Sequence, residues 1–287
     1  MENPIESIVE EYRVRKLDRR SFFIRLIAVT GSYAAAHLLL ERSGLAATLV
    51  SEIESKQANV DSSTVEYMSD VKLTGYLSKP KAKGTYPAII VIHENRGLND
   101  HTRDVARRFA AEGFVALAAD ALSRKGGTAA MDTPEKVREA FSSISAADVL
   151  KDLNAGLAFL DSQSNVKKGK LASIGFCWGG ARSFLLSTEP NKLRAAVVFY
   201  GTAPTEEQLA KVHCPVLGIY GETDERITSK VPEVDATMKK LKKSYEYKIY
   251  KGAGHAFFND TNGDRYKAEA AKDAWTQTLA FLKKNLK

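Results

Sequence analysis

The sequence predicts an α/β fold: a mostly parallel central sheet with an antiparallel leading edge, helices on both faces, and a helical N-terminal extension. Three observations carry this. From about residue 62, short apolar runs alternate with amphipathic stretches at helical spacing. Most of these runs are continuous rather than alternating, as in strands buried on both faces. The residues able to do chemistry stand just after the runs, where parallel sheets hold their ligands.

Taken in order, "TVEYMSDVKLTGYLSKP" alternates with period two and ends before Pro80, which predicts an antiparallel hairpin. "YPAIIVIHE" predicts a buried strand, and "DHTRDVARRFAAEG" an amphipathic helix capped by Asp100 and stopped by Gly113. "FVALAAD" is the next strand. The stretch from Ala121 to Pro134 carries Gly126-Gly127 and no clear periodicity. Further on, "SAADVLKDLNAGLAFLDSQ" predicts a helix, "KLASIG" a strand and "WGGARSFLLS" a helix. "AAVVFYG" and "CPVLGIYG" are two more strands, "EVDATMKKLKK" a helix and "YEYKIYKG" a strand. "DRYKAEAAKDAWTQTLAFLKKNL" closes the chain as a helix.

Residues 1–60 differ in character. Arg19-Arg20-Ser21-Phe22-Phe23 precedes an apolar stretch from Leu26 to Leu40, too short for a stable membrane span. The pattern is that of a twin-arginine leader, which places the protein in the bacterial periplasm through the twin-arginine export machinery. The other reading is cytoplasmic: a helical extension docked on residues 61–287. The acidic lead-in (Glu6, Glu10, Glu11) and Arg25 within the apolar run favour it.

Over 287 residues the composition is 44% hydrophobic and 27% charged, that of a globular protein. The net charge of +7 is spread out. Its densest cluster, "MKKLKKS", reads as a solvated helix face, so no nucleic-acid partner is expected. The two cysteines make no disulfide framework, and no Cys/His spacing suits a metal. Cys214 reads as a packed core thiol.

Cys177 differs. In "GFCWGG" it follows a strand and precedes a helix, flanked by Gly175 and Gly179, as the strained turn of a nucleophile elbow requires. A helix N-terminus there favours the thiolate. Asp224 follows a later strand, with Glu222 and Glu225 as alternatives, and can orient a histidine. His255, in "GAGHAFFND", follows the next strand. Nucleophile, acid and histidine in that order are the triad order of the α/β-hydrolase fold. Earlier, His93-Glu94-Asn95-Arg96-Gly97 occupies the loop that supplies the second oxyanion donor. The N–H groups of Asn95 and Trp178 are the expected pair. Glu94 either hydrogen-bonds the thiol or accepts its proton, or is a buried carboxylate paired with an arginine.

Together "VIHENRGLNDHTRDVARRFAAEGFVALAAD", "GFCWGG", "GETDERI" and "GAGHAFFND" resemble the dienelactone hydrolase (carboxymethylenebutenolidase-like) family over roughly residues 62 to 287. The resemblance implies a Cys177–His255–Asp224 triad, with Glu94 interacting with the resting thiol. It implies no cofactor or metal, and leans towards a monomer. It also implies a lactone substrate whose carboxylate is held by arginines. There the chain departs: Asn259 stands where an arginine is expected four residues after His255. Arg96, Arg124 and Arg138 are the remaining candidates to hold a carboxylate, with Asn259 beside them.

The function expected is hydrolysis of small activated esters or lactones through a thioester acyl-enzyme. The alternatives are a broad-range carboxylesterase and, in another class, a non-catalytic or redox-sensing thiol protein. The absence of a resolving cysteine nearby in sequence weighs against the last.

Overall fold

The computed structural model describes residues 59–287, together with Ser7, Ile8, Glu11, Arg25 and Val29 near the N-terminus. The twin-arginine pattern and the rest of the predicted extension lie outside the described residues.

Eight strands form one sheet. The first two are β1 (Val60–Met68) and β2 (Lys72–Pro80), followed by β3 (Tyr86–Ile92), β4 (Val115–Ala119) and β5 (Val166–Phe176). The last three are β6 (Leu193–Phe199), β7 (Val216–Gly221) and β8 (Tyr245–Tyr250). Their order is β1-β2-β4-β3-β5-β6-β7-β8. The leading hairpin is antiparallel, with Val65 opposite Gly75, and β2 runs antiparallel to β4. Every other pairing is parallel. This is the α/β-hydrolase architecture that the sequence predicts.

Side-chain alternation divides the sheet between two cores. Ile89 and Val91 of β3, Ile174 of β5 and Val197 of β6 face one side. There they meet α1 (Asp100–Ala111), through Val105 and Phe109, and α8 (Ala268–Asn285), through Ala274 and Phe281. Ile90 and Ile92 of β3 and Val198 of β6 face the other side. They meet α3 (Ala146–Ser162) through Leu153 and Leu157, α4 (Trp178–Leu186) through Phe184, and α7 (Val231–Lys240) through Met238. A strand covered on both faces has no polar side to show, so "AIIVI" is apolar at every position and wholly buried.

Several local expectations change. The cap of α1 is Asn99, not Asp100: its Oδ1 accepts from the Thr102 N–H at 3.0 Å, while Asp100 sits in the first turn facing the helix dipole. The aperiodic stretch after β4 folds into two 3₁₀ turns, Ser123–Lys125 and Thr128–Ala130. It then forms α2 (Pro134–Ser142), with Thr133 as cap and Pro134 at its first position. The lysine cluster is helical only through Lys240; Leu241 ends α7 and Lys242 turns with φ +53°. Cys214 precedes β7 and is buried as expected, which pushes its thiol up to about 12. The short helices α5 (Glu206–Leu209) and α6 (Glu225–Thr228) follow β6 and β7. Among the described residues no helix is long and apolar enough to cross a membrane.

Candidate active site

Cys177 joins β5 to α4 with φ +55° and ψ −114°, a conformation that L-residues rarely adopt. The turn is possible because three glycines let backbones touch. A Cβ on Gly175 would lie 1.9 Å from the Gly179 carbonyl oxygen. One on Gly179 would lie 2.4 Å from the Ile92 oxygen, and one on Gly180 2.4 Å from the Phe199 oxygen. The Cys177 N–H donates to the Phe199 carbonyl at 3.0 Å, which ties the elbow to β6. Its side chain is half-buried and lines a cavity beyond the strand ends. Trp178 is the first residue of α4, where a backbone N–H has no partner within its own helix.

The loops after β7 and β8 are joined to each other. Thr223 donates to the Ala253 carbonyl from its N–H (2.9 Å) and its hydroxyl (3.1 Å). Glu222 accepts from the Gly252 N–H at 2.8 Å. That spends Glu222 on the loop, and Asp224 is the carboxylate that reaches the histidine: His255 Nδ1 donates to Asp224 Oδ2 at 2.5 Å. Asp224 is buried, and the His255 side chain is 25% exposed. Burial alone would lower the imidazole pKa. Hydrogen bonds to the Cys177 sulfur and to Asp224, with the charges of both, overcome it and raise His255 to about 9.

Glu94 is buried after β3 and also lines the cavity. Among the described residues it is hydrogen-bonded neither to the Cys177 thiol, the partner expected for it, nor to an arginine, the alternative. Oε2 accepts from Asn259 Nδ2 at 2.8 Å and Oε1 from the Tyr200 hydroxyl at 3.5 Å. The loop carrying Glu94 is held from several sides. His93 Nδ1 donates to the Glu94 carbonyl at 2.6 Å, and Nε2 accepts from the Ala121 N–H at 3.1 Å, which fixes the neutral tautomer. Burial lowers the His93 pKa accordingly. Thr128 Oγ1 accepts from the Leu98 N–H at 2.8 Å and donates to Asp120 Oδ1 at 2.7 Å. Gly97, at φ +77°, has that same threonine where a Cβ would go.

The cavity measures about 640 Å³, within the range of small-molecule sites. Asn95, Arg96 and Arg138 line it, and all three are exposed. Arg138 is bonded to Glu135 at 2.7 Å. Arg124 does not line it. Its guanidinium is spent on Asp152, at 2.7 Å from both Nε and Nη2, and on Asp70. Asn259 is not a cavity residue either: it is 2% exposed and faces Glu94. Both therefore leave the set of residues that could hold a carboxylate. Arg265, in the 3₁₀ turn Gly263–Arg265, enters it; like Arg96, it forms no salt bridge among the described residues. It stands ten positions after His255, in a loop with no periodicity to single it out.

Tyr200 was also missed, although "FYG" marks it at the end of β6. It is fully buried at φ +40°, with its ring 5.1 Å from that of His255. Burial, together with the Glu94 and Cys177 charges, holds its hydroxyl well above the usual phenol range. The α2 segment lines the cavity through Pro134, Val137 and Arg138. It rests on Phe141, whose ring lies 4.8 Å from that of Trp178, itself stacked on His93.

The family model of the dienelactone hydrolase family matches residues 73–286. This chain belongs to that family. Among its relatives, a candidate carboxymethylenebutenolidase of Saccharolobus solfataricus is 35% identical over 255 residues, covering 76% of this chain and 96% of that protein. A candidate 2-oxo-3-(5-oxofuran-2-ylidene)propanoate lactonase of Bradyrhizobium sp is 34% identical, covering 74% and 89%. Among solved structures, a candidate dienelactone hydrolase from Klebsiella pneumoniae superposes with a TM-score of 0.72 at 28% identity, covering 78% of this chain and 98% of that one. The chain is thus a dienelactone hydrolase-like hydrolase acting on esters or lactones.

Proposed function

We propose that Cys177 is the nucleophile of this hydrolase, His255 its general base and acid, and Asp224 the group that orients the histidine. The observation that carries the reading is the convergence of Cys177, His255 and Asp224 beyond the ends of three strands: Cys177 and His255 line one cavity, and His255 Nδ1 donates to Asp224 Oδ2 at 2.5 Å. The thiolate attacks the ester carbonyl carbon, a C–S bond forms, and the carbonyl electron pair moves onto oxygen. Backbone N–H groups of Asn95 and Trp178 receive that oxyanion; in comparable sites, losing one such donor costs about 3 kcal/mol. As the oxyanion collapses, the C–O bond breaks and the His255 imidazolium gives its proton to the departing alkoxide. In a lactone this alkoxide stays tethered, so the ring opens on the enzyme. His255 then takes a proton from water, whose oxygen attacks the thioester and releases the acid and the thiol.

The substrate is a small ester or lactone bearing a carboxylate, with Arg265 and Arg96 as its anchors. Both are cavity-lining guanidiniums without an ion-pair partner among the described residues. A planar guanidinium suits a carboxylate through paired N–H donors. The test of the nucleophile is Cys177→Ala assayed on p-nitrophenyl acetate and small lactones. Loss of turnover by a factor of 10³ or more is expected. Turnover at the parent rate overturns the triad and returns Cys177 to a non-catalytic thiol.

Export of the chain through its twin-arginine-like segment is a separate proposal. It rests on Arg19-Arg20-Ser21-Phe22-Phe23 and the apolar run after it. N-terminal sequencing of protein from its own host tests it: a start near residue 48 supports cleavage and export, and an intact start overturns it.

A further inference from the structure

Glu94 is a buried carboxylate that accepts hydrogen bonds from two neutral groups among the described residues, the Asn259 amide and the Tyr200 hydroxyl. The Asn259 amide cannot turn round. Its Oδ1 accepts from the Thr261 N–H at 3.0 Å and from the Thr261 hydroxyl at 2.7 Å, so Nδ2 must face Glu94 as a donor. The backbone beneath is pinned as well. The Asn259 N–H donates to the Ala256 carbonyl at 3.1 Å. The next residue, Asp260, accepts from Arg108 at 2.5 Å and meets His101 Nδ1 at 3.2 Å, both on α1. One loop therefore carries His255 at its start and the holder of Glu94 four residues later.

We infer that Asn259 is a positioning residue: it holds Glu94 in the cavity wall as a hydrogen-bond acceptor, in fixed register with His255. The inference rests on the proposed triad in one respect, that the Glu94 so held faces the cavity in which Cys177 and His255 act. An amide does this without a charge of its own, so its side of the contact does not titrate. The titratable and charged groups around Glu94 are His93 beside it in the loop, Cys177 at the elbow, Tyr200 at the end of β6 and His255 on the β8 loop. Arg96 and Arg265 complete them at the cavity.

The test is the polarity of the contact. Asn259→Asp keeps the acceptor for Thr261 but sets a carboxylate oxygen against Glu94 Oε2. Two carboxylates at that distance share one proton in acid and repel once both ionise. The pH profile of kcat/KM for a small ester should then gain a descending alkaline limb, with a loss of at least tenfold by pH 8 that recovers towards pH 5.5. The swapped pair, Glu94→Gln with Asn259→Asp, matches donor to acceptor again. It should recover the parent Tm and show no such limb, at whatever level of turnover the loss of the Glu94 carboxylate leaves. A parent-shaped profile in Asn259→Asp, or a swapped pair that keeps the limb, overturns the inference. If Asn259→Asp does not fold, refolding of the swapped pair supports it and an unfolded swapped pair overturns it. The Tm comparison reads this contact without any turnover. Failure of the triad in the Cys177→Ala assay is therefore seen separately from failure here.

Discussion

Asp224→Asn tests the electrostatics of the site with a single atom changed. In the folded chain His255 is raised from 6.5 to about 9 by Cys177 and Asp224 together, against the opposing effect of burial. A raised histidine pKa stabilises the fold fully below its unfolded value and ceases to do so as pH climbs through the folded one. The window here is pH 6.5 to about 9, and the whole effect is worth about 3 kcal/mol. If half of it belongs to Asp224, the asparagine variant loses about 1.5 kcal/mol in acid, or about 3–6 °C of Tm for a chain of this size. Above pH 9 the loss should shrink, because the parent no longer carries the imidazolium. Turnover suffers more than stability. An asparagine can present N–H to Nδ1 and install the wrong tautomer, so kcat/KM is expected to fall by about 10²–10⁴. The assay is a pH series of p-nitrophenyl acetate hydrolysis run beside thermal melts at pH 6 and pH 10. A variant with parent kcat/KM, or with the same Tm loss at both pH values, refutes the reasoning.

Two other outcomes are expected. Gly175→Ala drives a methyl into the Gly179 carbonyl, which is backbone and cannot swing aside, whereas Gly113→Ala meets nothing within 4 Å. Thermal melts should therefore show a loss of about 3 kcal/mol or more for the first, and only the local cost of a positive φ, about 1–2 kcal/mol, for the second. Arg265→Gln should lower kcat/KM about tenfold for a carboxylate-bearing ester or lactone, and barely at all for a neutral ester of the same size. An equal loss on both would show that Arg265 serves the cavity's shape rather than the substrate's charge.

The legible part of this protein is what nearby residues decide. A strand buried on both faces must be apolar throughout, so "AIIVI" and "AAVVF" announced the sheet. The elbow needs glycines within a few positions of Cys177, and they are visible as such. Pairings over long separations were legible only where chain order carries them, as for Cys177, Asp224 and His255. Asn259 lies 165 residues from Glu94, and Tyr200 lies 106 from it, so no window of sequence joins them. Arg124 sits in a loop on the active face by sequence, but Asp70 and Asp152 draw it away. Helix α2 escaped notice for a different reason. It is nine residues long, and Val137, Ala140 and Phe141 are its whole apolar stripe, too short a pattern to set it apart from the aperiodic stretch before it.

The strained backbone of the described residues points to the same place. Four residues other than glycine hold a positive φ: Cys177, Tyr200, Lys242 and Ala256. Lys242 turns the chain between α7 and β8 at the surface. The other three stand at or beside the ends of β5, β6 and the β8 loop, around one cavity, and each such position costs of the order of 1–3 kcal/mol. Nothing local relieves that cost, since a glycine at any of the three would remove most of it. What the residues retain is a side chain: a thiol aimed off the end of a strand, a phenol turned towards Glu94 and His255, and a small Ala256 in the cavity wall beside His255. The strands beneath are buried on both faces and tie the turns down, as Phe199 does by accepting the Cys177 N–H. Strain concentrated where the chemistry-bearing side chains converge, and supported by the stiffest part of the sheet, is the pattern of a site preorganised for reaction.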